Sequence, residues 1–143
     1  MLHIYKASAG SGKTYRLAKD YITMLLGIKG PDGKYRLNRG GTNAHRAILA
    51  ITFTNKATEE MKRRILHELA VLGGCEHEWS ESSPYEEDLV KELNCTPQEL
   101  RAAAKRALTM LVMDYSYFNV STIDSFFQNV LRTFAREAQV MGD

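Results

Sequence analysis

Apolar residues recur along the chain with two spacings, one typical of helices and one typical of buried strands. The short apolar segment at residues 2–5 predicts a strand. A helix is then predicted from near Lys13 to Gly27, because one of its faces carries only apolar side chains: Leu17, Ala18, Tyr21, Ile22 and Leu25. The uninterrupted apolar run at residues 47–51 is typical of a strand buried on both faces, as in a parallel sheet.

The alternation of helix and strand continues to the end of the chain. A second helix, ending at Gly73 and Gly74, is indicated by apolar residues at four-residue intervals: Ala57, Met61, Ile65 and Leu69. Residues 96–99 predict the start of a third helix, with a capping Thr, then Pro, then Glu at the third position. Residues 118–123 predict a strand, and a last helix follows whose apolar side we expect to be core: Phe126, Phe127, Val130, Leu131 and Phe134.

This order of elements predicts an α/β fold with a mostly parallel sheet. The polar segments near 28–45 and 73–95 predict exposed loops, the first with a turn signal at 30–33 that suits a loose hairpin and the second with one helical turn near 86–93. A chain of 143 residues is long enough for one domain, which we expect to span residues 1–143.

Composition and charge narrow the function classes. A hydrophobic share of 44% and a charged share of 25% are typical of a folded soluble protein. No apolar run is long enough to span a membrane, no secretory signal opens the chain, and two cysteines are too few for a disulfide framework, so we expect a cytoplasmic protein. Through Arg64 there are 13 Lys/Arg against 4 Asp/Glu, and after it 6 against 13. The basic half suits a polyanionic partner, or else solvated loops.

The sharpest signal is Ala7-Ser8-Ala9-Gly10-Ser11-Gly12-Lys13-Thr14, between a predicted strand and a predicted helix. Small residues let the backbone curl until several N–H groups point at one anion, and the helix N-terminus adds its positive dipole end. Lys13 can reach the terminal phosphates, and the Thr14 hydroxyl can ligate a bridging Mg²⁺. We predict a triphosphate site formed by all eight residues, with Lys13 and Thr14 as the catalytic pair; Ala7 stands where the strict pattern has Gly.

A second polar cluster follows the second predicted strand: Thr52, Phe53, Thr54, Asn55 and Lys56. Open α/β sheets bind ligands at the carboxyl ends of their strands. Phe53 can stack on a base, while its polar neighbours can contact phosphates, so the cluster predicts binding of single-stranded nucleic acid. The alternative for Phe53 is a core position at the strand end.

Together the two motifs resemble those of superfamily 1A DNA helicases, the UvrD/RecB-like group. That family pairs a phosphate loop of this type with a Thr-Phe-Thr-Asn-Lys-Ala-x-x-Glu-Met motif one strand later. A third match, residues 121–126, corresponds to a family stretch that usually has the form Thr-x-His-Ser-Phe and contacts single-stranded DNA. The resemblance thus implies that Thr122 and Ser125 contact DNA. Asp124 replaces the family's His, and since a carboxylate would repel phosphate, we expect it to cap the last helix.

The resemblance implies a P-loop NTPase (RecA-like) fold of three layers, with ATP and Mg²⁺ as cofactors of an ATP-dependent DNA helicase in recombination or repair. The form of the third motif is most similar to RecB/AddA-type helicase-nuclease chains of bacteria. The acidic Mg²⁺ motif, the arginine finger and the second RecA-like domain should lie beyond Asp143, so we expect an N-terminal part of the ATP-binding domain, incomplete because truncated. It should hydrolyse ATP negligibly when alone.

The expected partners are single-stranded and duplex DNA, the rest of the helicase chain and a second helicase-nuclease subunit. An incomplete sheet exposes unpaired edges, which favours self-association.

Other functions and roles stay open at this point. A non-catalytic nucleotide- or DNA-binding module fits the same motifs, and so, less well, does a P-loop small-molecule kinase. The basic run at residues 62–64 is either a DNA patch or, as we favour, a solvated helix face paired with Glu59 and Glu60. The basic residues of segment 28–45 either meet DNA phosphates or stay solvated. The spacing of Cys75, His77 and Cys95 matches no tight zinc pattern.

Overall fold

The computed structural model describes residues 11–39, 43–75 and 82–141. The predicted strand at residues 2–5, the first half of the phosphate loop (Ala7, Ser8, Ala9 and Gly10) and His77 lie outside the described residues. The elements, in chain order, are α1 (Ser11–Leu26), β1 (Gly27–Lys29), β2 (Tyr35–Leu37), a 3₁₀ turn (Ala44–Ala47), β3 (Ala50–Thr52), α2 (Asn55–Leu72), α3 (Glu86–Glu92), α4 (Pro97–Met113), a second 3₁₀ turn (Tyr115–Tyr117), β4 (Val120–Thr122) and α5 (Ile123–Met141).

Local sequence signals set the helix ends, and the predicted start of α4 at residues 96–99 and end of α2 at Gly73 are confirmed. Thr54 caps α2 by accepting a hydrogen bond from the backbone N–H of Ala57 at 3.0 Å. Thr96 and Glu99 form a reciprocal capping box at the start of α4. After α2, Gly74 takes a φ of +66°, a left-handed conformation that favours glycine.

Two small sheets are present in the described part of the chain. β3 and β4 pair in parallel, with Thr52 opposite Thr122, while β1 and β2 form an antiparallel hairpin. The α/β class is therefore confirmed, but the mostly parallel sheet is not: one parallel pair stands beside one antiparallel pair. The hairpin predicted within segment 28–45 is confirmed over residues 27–37.

The core lies between α1, α2 and α4. The apolar face predicted for α1 is buried, as are the four-residue-spaced apolar residues of α2. The segment 73–95 is less exposed than predicted, because Tyr85, Leu89 and Leu93 are completely buried. These residues bring α3 against the body, so residues 83–93 belong to the core layer.

The prediction that the phenylalanines of α5 are core residues is wrong for this structure. Phe127 is 55% exposed and Phe134 is 70% exposed, while Phe126 is half-buried. The contacts of α5 are mainly with β3 and β4. An amphipathic pattern shows that a helix has an apolar side, but it does not supply the surface that covers that side.

None of the described helices has the combination of length and apolarity that a membrane-spanning helix needs.

Candidate nucleotide and nucleic-acid site

The second half of the phosphate loop forms the first turn of α1. Ser11, Gly12, Lys13 and Thr14 are its first four residues, so their N–H groups precede any intrahelical acceptor and are oriented toward the helix start. Lys13 is exposed, Thr14 is buried, and this turn contains no acidic residue. Among the described residues, none lies within 4 Å of a side-chain atom added at Gly12. Backbone amides at a helix start, together with an exposed cation, fit an anion such as a triphosphate.

The predicted single-strand site lies at one edge of the parallel strand pair. Because Thr52 of β3 is opposite Thr122 of β4, the residues that follow both strands emerge at the same edge. Helix α2 begins three residues after β3, and α5 begins directly after β4. The N-termini of both helices are therefore at this edge, and their positive dipole ends favour an anion there.

The side chains predicted to contact DNA divide into exposed and buried members. Phe53 is 51% exposed, which excludes the core position considered for it. Three of its neighbours and one residue of α5 are also exposed: Thr54, Asn55, Lys56 and Ser125. The structure thus brings an aromatic face, an amide, hydroxyls and a cation to one edge of the sheet.

Thr52 faces the interior instead. Its side chain is 1% exposed, and its hydroxyl lies 2.5 Å from the hydroxyl of Thr58. The same hydroxyl donates to the Thr54 carbonyl at 3.2 Å. In this conformation Thr52 fixes the loop that presents Phe53. Its buried side chain offers no surface for the direct DNA contact that was predicted for it. All three residues of β3 are buried, so Thr52 lies in the interior with the rest of the strand.

Thr122 is the residue that caps α5. Its side chain is 8% exposed and accepts a hydrogen bond from the backbone N–H of Ser125 at 3.2 Å, while its hydroxyl donates to the Ser125 hydroxyl at 3.0 Å. The capping role expected of Asp124 is therefore corrected to Thr122. Asp124 is exposed in the first turn of α5, where its charge interacts favourably with the helix dipole.

The basic run on α2 packs partly on aromatic rings. The Lys62 ammonium lies 5.3 Å from the centre of the Tyr115 ring, and the Arg64 guanidinium lies 6.0 Å from that of Tyr15. Among the ion pairs of the described residues, none joins Glu59 to Arg63 or Glu60 to Arg64. The run was expected to be a solvated helix face paired with Glu59 and Glu60. Instead, two of its three cations, Lys62 and Arg64, pack against aromatic rings.

A polar cluster around the buried His45, which no sequence pattern indicated, holds the chain before β3. His45 is 1% exposed, and its Nε2 lies 2.6 Å from Oδ2 of Asp114. Arg46 donates two hydrogen bonds to the same carboxylate, at 2.7 and 2.9 Å, and lies 4.0 Å from the centre of the Tyr117 ring. The Arg46 guanidinium holds the pKa of the Asp114 carboxyl below its usual range. The partners are about 70 residues apart in sequence, so only the fold could reveal the contact.

Metal ligation by the cysteines gains no support in the described residues. Cys75 is exposed and Cys95 is half-buried, both as free thiols. Burial raises the pKa of the Cys95 thiol, which disfavours the thiolate that binds zinc. Within the described ranges, no three His, Cys, Asp or Glu side chains form a group that could hold a metal ion.

Comparison with known proteins agrees with this arrangement of motifs. Residues 3–142 match the UvrD/REP helicase N-terminal domain family. The chain is 32% identical over 141 residues to the RecBCD enzyme subunit RecB of Escherichia coli K12, which covers 96% of this chain and 11% of that protein.

Two further relatives match a shorter part of the chain. The RecB subunits of Buchnera aphidicola (from Acyrthosiphon pisum) and Haemophilus influenzae are 41% and 38% identical over 64 residues, or 45% of this chain and 5% of each relative. No solved structure matches significantly. The chain thus spans about a tenth of the length of the E. coli protein, and less of the others. Because the family match covers nearly all of its residues, this chain belongs to the UvrD/REP helicase N-terminal domain family.

Proposed function

We propose that this chain is the nucleotide- and single-strand-binding part of an ATP-dependent DNA helicase that acts in recombination or repair. The observation that carries the proposal is the edge of the β3–β4 pair. There the exposed Phe53 ring lies in the same neighbourhood as the capped N-termini of α2 and α5. Stacking on the ring and phosphate contacts at the helix starts are the two interactions that a single strand requires.

The division of labour follows from burial. Thr54, Asn55, Lys56 and Ser125 are exposed and are proposed to contact the backbone of the strand. Thr52 and Thr122 are buried and hydrogen-bonded within the chain, so we assign them the positioning of this loop and of the α5 start. This assignment changes their proposed role from contact to support.

For the nucleotide, we propose that ATP with Mg²⁺ binds at the start of α1. Lys13 would neutralise the terminal phosphates, the amides of the first turn would hold them, and Thr14 would supply a hydroxyl to the cation. When bound, ATP would supply the free energy that is released when its terminal phosphate is transferred to water. In the family, the groups that position the attacking water and neutralise the charge of the transition state lie in other parts of the protein. This chain alone should therefore show negligible ATP turnover.

The proposed partners are single-stranded and duplex DNA, the remainder of the helicase chain and a second helicase-nuclease subunit. The E. coli relative is itself a subunit of the RecBCD enzyme, which supports the last of these partners. The apolar side of α5 is exposed, which supports a protein partner that covers it, either the remainder of the helicase chain or the second subunit.

Two measurements test the proposal. The 143-residue chain should bind a fluorescent oligo-dT of about 12 nucleotides, a length that suits common single-strand sites, and the full-length protein should show ATP turnover stimulated by that strand. Turnover stimulated by a small alcohol acceptor instead would identify a kinase. Strand binding with no turnover by the full-length protein would identify a non-catalytic binding module.

A further inference from the structure

The hairpin of residues 27–37, here called the basic hairpin, has a conformation defined by its own hydrogen bonds. In its turn the Gly30 N–H donates to the Lys34 carbonyl at 2.8 Å, and the Gly33 N–H donates to the Gly30 carbonyl at 3.0 Å. Gly33 has a φ of +82°, which favours glycine at this position. The turn therefore has a defined shape, not that of a loose polar loop.

Contacts at its base fix the hairpin to the body of the protein. The Leu37 N–H donates to the Leu93 carbonyl at 3.1 Å, and the Asn38 N–H donates to the Leu26 carbonyl at 2.7 Å. Gly27 packs so closely that an added side-chain atom would lie 2.7 Å from the Leu93 side chain. The cations of the hairpin are thus held in place at little further entropic cost.

The charges on this hairpin are unbalanced. Lys29, Lys34 and Arg36 are exposed, whereas the hairpin has one carboxylate, Asp32, whose Oδ1 accepts a hydrogen bond from the Lys34 backbone N–H at 3.1 Å. Lys34 and Arg36 line an open groove of about 850 Å³ between the hairpin and the end of α3. Glu92, an acidic residue on this groove, is already paired with Lys19 at 3.0 Å. Three cations against one carboxylate leave the hairpin with an excess of positive charge, which suits a polyanion.

We propose that the basic hairpin binds the phosphate backbone of duplex DNA. The inference rests on the proposed function in taking DNA as the partner, but it assigns a second surface. Within the hairpin the single aromatic residue, Tyr35, is half-buried, so it presents no open ring for stacking. Cations without a stacking ring fit a duplex, whose bases are already stacked.

The basic hairpin is also separate from the nucleotide site. Lys13 lies in the first turn of α1 and Gly27 directly follows its last residue. Fourteen residues of helix place them about 21 Å apart, beyond the reach of a lysine side chain. The hairpin cations therefore cannot serve the triphosphate that Lys13 is proposed to hold.

The test compares the double variant Lys34→Ala/Arg36→Ala with the matched control Lys105→Ala/Arg106→Ala, which removes two exposed cations from α4. Binding of a blunt duplex and of oligo-dT is measured by fluorescence anisotropy over a series of salt concentrations. For the duplex, the hairpin variant should bind roughly tenfold more weakly, with a log–log salt slope shallower by about 2, because each lost phosphate contact removes about 0.9. The control should match the original chain.

Equal duplex binding and equal salt slope for the hairpin variant, with an unchanged melting temperature, would overturn the proposal. So would binding of poly-glutamate that depends on Lys34 and Arg36 when binding of the duplex does not, which would reassign the surface to an acidic protein. Oligo-dT binding separates this result from the proposed function: the latter fails if Phe53→Ala leaves oligo-dT binding unchanged, whatever the hairpin variant does.

Discussion

Replacing Phe53 by Ala tests the single-strand site with little disturbance of the fold. The ring is 51% exposed, so its truncation removes about half of the burial that a core phenylalanine would lose. Core Phe→Ala changes cost about 3–5 kcal/mol, whereas exposed positions cost about 0.5 or less, so the free energy of unfolding should fall by roughly 1–2 kcal/mol. The chain should therefore remain folded in the binding assay.

The effect on binding should be larger in relative terms. A base stacked on an aromatic ring contributes about 1–3 kcal/mol, so the dissociation constant for oligo-dT should rise by about 5- to 150-fold at 25 °C. The assay is fluorescence anisotropy with a labelled strand at fixed salt concentration, because phosphate contacts make affinity salt-dependent. The salt slope itself should stay the same, since the ring carries no charge.

Phe127→Ala is the matched control, because this ring is 55% exposed on α5 beyond its first turn. It should leave the affinity unchanged, and Phe53→Tyr, which keeps the stacking face, should retain binding within about twofold. An unchanged affinity for Phe53→Ala, or an equal loss for Phe127→Ala, would refute stacking at the strand tip.

Four further changes test other parts of the structure. Lys13→Ala should abolish nucleotide binding by the full-length protein, measured by calorimetry, because it removes the phosphate-facing charge. Tyr21→Phe should raise the free energy of unfolding in urea by about 1–2 kcal/mol, because the buried hydroxyl has no hydrogen-bond partner in the described residues. The pKa of Asp114 is lowered in the folded state, so its carboxylate stabilises the fold above the ordinary carboxyl pKa of about 4. This stabilisation is lost as the pH falls through the folded pKa. Asp114→Asn should therefore flatten the plot of melting temperature against pH below about pH 4. Leu69→Ala, at a fully buried site, should cost about 2–5 kcal/mol, whereas Phe134→Ala should cost about 0.5 or less.

Local features of this fold could be predicted because local physics determines them. The capping box at Thr96 and Glu99 needs only four neighbouring residues, and the buried face of α1 follows from helical spacing. The same holds for the turn of the hairpin, which glycine and proline mark in the sequence. The exposure of Phe53 followed from its polar neighbours, Thr52 and Thr54.

Features that depend on distant partners could not be predicted. His45 has a partner 69 residues later, and the inward-facing Thr52 hydroxyl lies 3.4 Å from the carbonyl of Ser121, which is also 69 residues away. The strand predicted from the apolar run at residues 47–51 starts only at Ala50, since Ala44–Ala47 form a 3₁₀ turn held by Asp114. The exposed side of α5 shows the same limit, because spacing identifies an apolar face without its cover.

The most direct test of the single-strand site is a titration of the isotope-labelled 143-residue chain with oligo-dT, followed through its backbone amide resonances. The amides of residues 53–57 and 122–126 should shift together and saturate at one dissociation constant, because both helix starts lie at one edge of the β3–β4 pair. Shifts confined to other elements, or at only one of the two helix starts, would contradict the account.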